Sequence, residues 1–97
     1  MKSYLFVFNG DQAIRQSVTA RLDSVEAITN WVAFFDNTLC IISELNATEL
    51  SEQIRAAIPN VQFIVTTLDK GKRNGWLPKS VWNFVNRSAS ADAEAAE

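Results

Sequence analysis

Ile28-Thr29-Asn30-Trp31-Val32-Ala33-Phe34-Phe35-Asp36-Asn37-Thr38-Leu39-Cys40-Ile41-Ile42-Ser43 is the stretch whose reading decides the fold. Two runs rich in β-branched and aromatic residues, 28–35 and 38–43, flank Asp36-Asn37, a pair that tolerates left-handed backbone angles. The pattern predicts two antiparallel strands joined by a two-residue turn. A hairpin at mid-chain has to pair with whatever strands lie on either side of it.

Upstream, Tyr4-Leu5-Phe6-Val7-Phe8 is a short apolar run ended by Asn9-Gly10-Asp11, which reads as a buried strand. The Asp11 carboxylate is placed to accept the orphan amide hydrogens of a first helical turn. Ile14, Val18, Leu22 and Val25 then recur at spacings of four, four and three, one apolar stripe of a helix. Downstream, Asn46 with Glu49 three residues on resembles a capping box, and Leu45 and Leu50 hold the two positions of a hydrophobic staple. Leu50, Ile54, Ala57 and Ile58 form the second stripe before Pro59-Asn60 stops it, and 61–68 reads as a fourth strand.

The order strand, helix, strand, strand, helix, strand with right-handed crossovers predicts an α+β, ferredoxin-like βαββαβ sandwich: a four-stranded antiparallel sheet with two helices on one face. Pro78 suits the first turn of a further, C-terminal helix running to about Arg87. Residues 1–87 make the single domain, and 88–97, built only of Ala, Ser, Asp and Glu, reads as a disordered tail.

Composition narrows the chemistry. Apolar residues are 47% of the 97, enough for one core. Three of the eleven acids lie in the tail, so the remainder carries nine bases against eight acids, a balance neutral toward nucleic acid. The chain has no histidine, which removes Ser-His and Cys-His pairs and imidazole zinc sites. The one cysteine, Cys40, sits in an apolar run and reads as a core thiol. The first apolar run is too short for a signal-peptide core or a membrane span, so a cytoplasmic protein without a membrane partner is expected. No cofactor is implied.

Both alternating sets of the first three strands are apolar, and only the fourth relents, with Gln62 and Thr66 beside Ile64 and Leu68. Tyr4, Phe6 and Phe8 oppose Leu5 and Val7; Trp31, Ala33 and Phe35 oppose Val32 and Phe34; Leu39 and Ile41 oppose Cys40 and Ile42. A one-sided sheet in water shows polar alternation instead. Two-sided burial is therefore expected, with the open face covered by the C-terminal segment, a second chain, or both. Tyr4, Phe6, Phe8, Trp31, Trp76, Trp82 and Phe84 are the candidate residues of that dimer or C-terminal docking surface.

Other sites are weaker. Tyr4-x-Phe6-x-Phe8 has the spacing of a base-stacking strand, but 38–43 lacks the basic-Gly-aromatic pattern that accompanies one. Lys70, Lys72, Arg73 and Lys79 form the one dense basic cluster, a candidate phosphate contact whose ordinary reading is a solvated loop. Asp11 reads first as a helix cap and Asp36 as a turn residue; a metal-dependent nuclease needs carboxylates that converge on one cation.

The βαββαβ order in under a hundred residues, the aromatic first strand and the block Gly75-Trp76-Leu77-Pro78-Lys79-Ser80-Val81-Trp82-Asn83-Phe84 resemble a set of small bacterial SinR-like proteins. These are similar in fold to the small CRISPR adaptation subunit and to VapD ribonucleases. The resemblance implies a homodimer with facing sheets and a C-terminal element reaching toward the partner. In the CRISPR subunit family an aspartate ends strand one and is proposed to hold a divalent cation; the matching place here is near the neutral Asn9, and Asp11 comes two positions later. The leading expectation is thus a dimeric, non-enzymatic protein acting through protein or nucleic-acid association. The competing one is a metal-dependent endoribonuclease or toxin on the same dimer, and a small-molecule-sensing domain is a third class.

Overall fold

The computed structural model describes residues 1–69 and 73–86. Its elements are β1 (Lys2–Phe8), α1 (Gln12–Leu22), β2 (Ile28–Phe35), β3 (Thr38–Ser43), α2 (Ala47–Ala57) and β4 (Phe63–Thr67). A further helix, α3, spans 79–86 within the described residues. The strands form one sheet in the order β2-β3-β1-β4, and all three pairings are antiparallel, the ferredoxin-like arrangement. Lys70, Lys72 and the expected tail lie outside the described residues.

The predicted start signals act as their chemistry requires. The Ile14 amide donates to Asp11 Oδ1 at 3.0 Å, and the Glu49 amide donates to Asn46 Oδ1 at 2.8 Å. Each cap satisfies one donor that a helix start leaves without an intrahelical partner, worth about 1 kcal/mol. The hairpin closes with Phe35 opposite Thr38, so Asp36 and Asn37 are its two turn residues. Pro78 stands just outside α3, its carbonyl accepting from the Val81 and Trp82 amides at 3.0 and 3.2 Å.

α1 and α2 lie on one face of the sheet. Val18, Leu22, Leu50 and Ile54 pack there on Tyr4, Phe6, Phe8, Leu39 and Ile41, all buried. Phe6 anchors this layer, with ring centroids 5.4 Å from Phe8 and 5.3 Å from Phe63 in tilted contacts. α3 lies on the other face, where Val85, Trp82 and Phe84 pack with Cys40, Ile42, Val32, Phe34 and Leu68. The result is three layers, and β3 is buried at all six positions because it is covered on both sides.

Three details differ from the sequence pattern. Strand β4 is shorter than 61–68, although its ends remain tied by Asn9 N–H to Gln62 O at 2.9 Å and Leu68 N–H to Ser3 O at 2.9 Å. Ile14 falls off the buried α1 stripe and is 40% exposed. Its side chain folds back over Gly10 instead: a Cβ on Gly10 would stand 2.8 Å from Ile14 Cβ and 3.2 Å from Phe8 Cε2. Phe35 leaves the side of the sheet it was expected to share with Trp31 and Ala33. The register slips between Ala33 and Phe35, a bulge that re-aims the last residue of the strand.

The Gly10 contact gives a direct test. Gly10→Ala forces the first turn of α1 away from β1, because the obstructing atoms, Ile14 Cγ2 at 2.5 Å and Cβ at 2.8 Å, belong to a β-branched carbon fixed to the backbone rather than to a free side-chain end. Overpacking of this kind costs about 1–3 kcal/mol. Urea denaturation is expected to show a lowered midpoint with an unchanged m-value.

Candidate association surface

The strand parities assign the aromatic residues to opposite layers. Tyr4, Phe6 and Phe8 point under α1 and α2 and are essentially inaccessible. The Tyr4 hydroxyl donates to the Leu45 carbonyl at the entry to α2. Burial raises the pKa of this phenol, with a smaller contribution from the Glu49 carboxylate. Trp31 packs on the same layer and donates from Nε1 to Asp23 Oδ1, at the end of α1, at 2.7 Å. These four residues therefore belong to the helix-side core and not to a docking surface. Alternation divides a strand into two sets; contact with Leu22, Leu50 and Ile54 decides which set faces the helices. The same burial removes Tyr4-x-Phe6-x-Phe8 from any stacking contact with bases.

The opposite face is the one on which α3 packs. Trp82 and Phe84 pack onto it through α3. Trp76 does not: it is 97% exposed. Beside it, Leu5, Phe34, Phe35, Leu68, Leu77 and Trp82 line a pocket of about 210 Å³, with Arg73, Asn74 and Gly75 completing its wall. Phe35 is 59% exposed and Ile64, on the edge strand β4, is 69% exposed. α3 thus covers β3 and Val32 and Phe34 of β2, leaving an apolar remainder around the 73–77 segment and Ile64 uncovered on the far edge strand.

Arg73 holds this segment in place. Its Nη1 donates to the Leu68 carbonyl at 2.8 Å and its Nη2 to Asn86 Oδ1 at 3.3 Å, tying the end of β4 to the last described turn of α3. Of the four basic candidates, Arg73 is therefore a structural clip, Lys79 is an exposed residue opening α3, and Lys70 and Lys72 lie outside the described residues. The described structure does not bring a basic cluster together.

The polar candidates are spread out. Asp11 Oδ1 is occupied as the α1 cap, while Asp36 Oδ1 meets Arg15 Nη1 at 3.5 Å in an exposed ion pair worth under about 1 kcal/mol. Asn9 borders a cleft of about 380 Å³ with Ser17, Arg21 and Asn60, and neither aspartate lines it. Among the described residues no three His, Cys, Asp or Glu side chains gather where they could hold a metal ion, and no helix is long and apolar enough to cross a membrane.

Fold and surface together define a three-layered α+β chain of ferredoxin-like topology with an apolar remainder on its open face. No protein-family model, curated protein or solved structure matches it.

Cys40 reports on the α3 layer. It is fully buried beneath that layer, and burial pushes its thiol up to about 11, partly offset by the nearby Arg73 charge. The folded state therefore favours the protonated thiol. That contribution is complete below the ordinary value of 9.0 and is lost as pH rises toward about 11. Two pKa units correspond to roughly 2–3 kcal/mol. Urea midpoints at pH 8 and pH 10.5 are expected to fall further for the natural protein than for Cys40→Ala. Equal falls would show that the thiol ionises without disturbing α3.

Proposed function

We propose that this chain is a non-catalytic association module that works as a homodimer through the open face of its sheet. The observation that carries the reading is Trp76: a large aromatic side chain 97% exposed at the mouth of an apolar pocket, with Phe35 and Ile64 also uncovered. Aromatic residues each offer about 150–250 Å² for burial. With Ile64, the uncovered part of this face comes to roughly 400–500 Å² per copy, a large share of the about 800 Å² that each partner contributes to a standard interface. A formal net charge of −2 leaves two copies only weakly repelled. Closed two-fold pairing is the commonest way for a small domain to bury such a patch.

Charge gives less support to a nucleic-acid partner, because both terminal nitrogens of Arg73 are already engaged within the chain. The two readings respond differently to salt. Apolar association is insensitive to it, whereas binding through phosphate contacts falls steeply as salt rises.

Sedimentation equilibrium across a range of protein concentrations tests the reading. The expected mass is twice the 10.8 kDa of one chain, unchanged between low and high salt. A mass of one chain at every concentration would overturn it.

A further inference from the structure

Resting on that reading, we infer that the two copies exchange Trp76: the indole of each inserts into the pocket lined by Leu5, Phe34, Phe35, Leu68, Leu77 and Trp82 of the other. Three observations converge on this. The pocket is apolar and, at about 210 Å³, of a size to take one indole rather than a larger ligand. Its wall carries three further aromatic rings, which give an inserted indole offset or edge-to-face contacts. Arg73, fixed by its bonds to Leu68 and Asn86, supplies a guanidinium in the same wall for cation–π contact.

The placement of Trp76 completes the argument. It is both a rim residue of its own pocket and almost wholly in solvent, so it does not fill the space beside it. In an isologous pair, residue i of one copy meets j of the other while j meets i. Donor and acceptor lying side by side on one surface let a single two-fold axis near Gly75 satisfy both contacts. Buried tryptophans set in a pocket are the usual anchors of an interface.

Complementation between two variants tests the exchange. Trp76→Ala lacks the anchor and one rim residue but keeps Leu5, Phe34, Phe35, Leu68, Leu77 and Trp82 of the pocket wall. Phe35→Glu keeps the anchor and sets a negative charge in the pocket wall, against the negative face of an incoming ring. Both positions are exposed, so both variants are expected to melt like the natural protein.

Each alone is expected to dimerise roughly 1000-fold more weakly, two anchors being lost at about thirtyfold each. Mixed, they form one intact insertion, the Trp76 of Phe35→Glu entering the pocket of Trp76→Ala, and the mixed pair is expected to be at least about thirtyfold tighter than either variant with itself. A natural dimer that Trp76→Ala leaves intact would overturn the exchange while the dimer reading stands. So would two weakened variants that fail to rescue each other on mixing. A natural protein that stays monomeric would overturn the dimer reading itself.

Discussion

A sheet that is apolar on both faces cannot stand as one wall of a two-layer sandwich, and the rest of this structure follows from that constraint. Strand β3 shows it most directly: Leu39 and Ile41 join the core under α1 and α2, while Cys40 and Ile42 join the core under α3. Burial of each such side chain contributes about 1.5–3 kcal/mol, and only covers on both sides realise it. The polar groups at this position serve the same end. Ser43, fully buried at the end of β3, donates to the Ala27 carbonyl at 2.7 Å and accepts from the Leu45 amide at 3.2 Å. One hydroxyl thus closes the backbone where two loops meet the sheet.

The C-terminal helix depends on that face as much as the face depends on it. The described part of α3, residues 79–86, is too short to be stable alone in water, because nucleation is costly and few bonds follow it. What holds α3 is Trp82, Phe84 and Val85 on the sheet, the Pro78 carbonyl at its start and the Arg73 bridge to Asn86 near its described end. Arg73 therefore carries a different role from a surface cation of the same sequence neighbourhood. Its charge is spent on a backbone carbonyl and a side-chain amide rather than left for a phosphate.

Much of the fold was legible because its signals are local. Asp11, Asn46 and the Asp36-Asn37 turn act through atoms within a few residues of themselves, so spacing alone identified them. The split of each strand into two apolar sets was legible for the same reason. Which set meets α1 and α2 was not, since Tyr4-Phe6-Phe8 and Leu5-Val7 are both apolar and only long-range packing chooses between them. Phe35 was misplaced because a bulge changes the parity of a strand without any glycine or proline to announce it. The apolar pocket was least legible: it exists only where the 73–77 segment, set by Arg73, meets Phe34 and Phe35 at the end of β2 and Leu5 in the middle of β1.

The two tryptophans of the C-terminal block now separate by role. Trp82 packs with the sheet core and also lines the pocket, so it belongs to both the α3 layer and the pocket wall. In the proposed pair, an indole entering that pocket from a second copy would pack against Trp82 and thereby against the helix that shields Cys40. Anything that binds only the closed arrangement stabilises it in proportion to its concentration over its dissociation constant. In the proposed pair, docking of α3 and pairing of two chains would be coupled equilibria sharing the Trp82 side chain, with the exposed Trp76 lying beside a pocket that α3 helps to assemble.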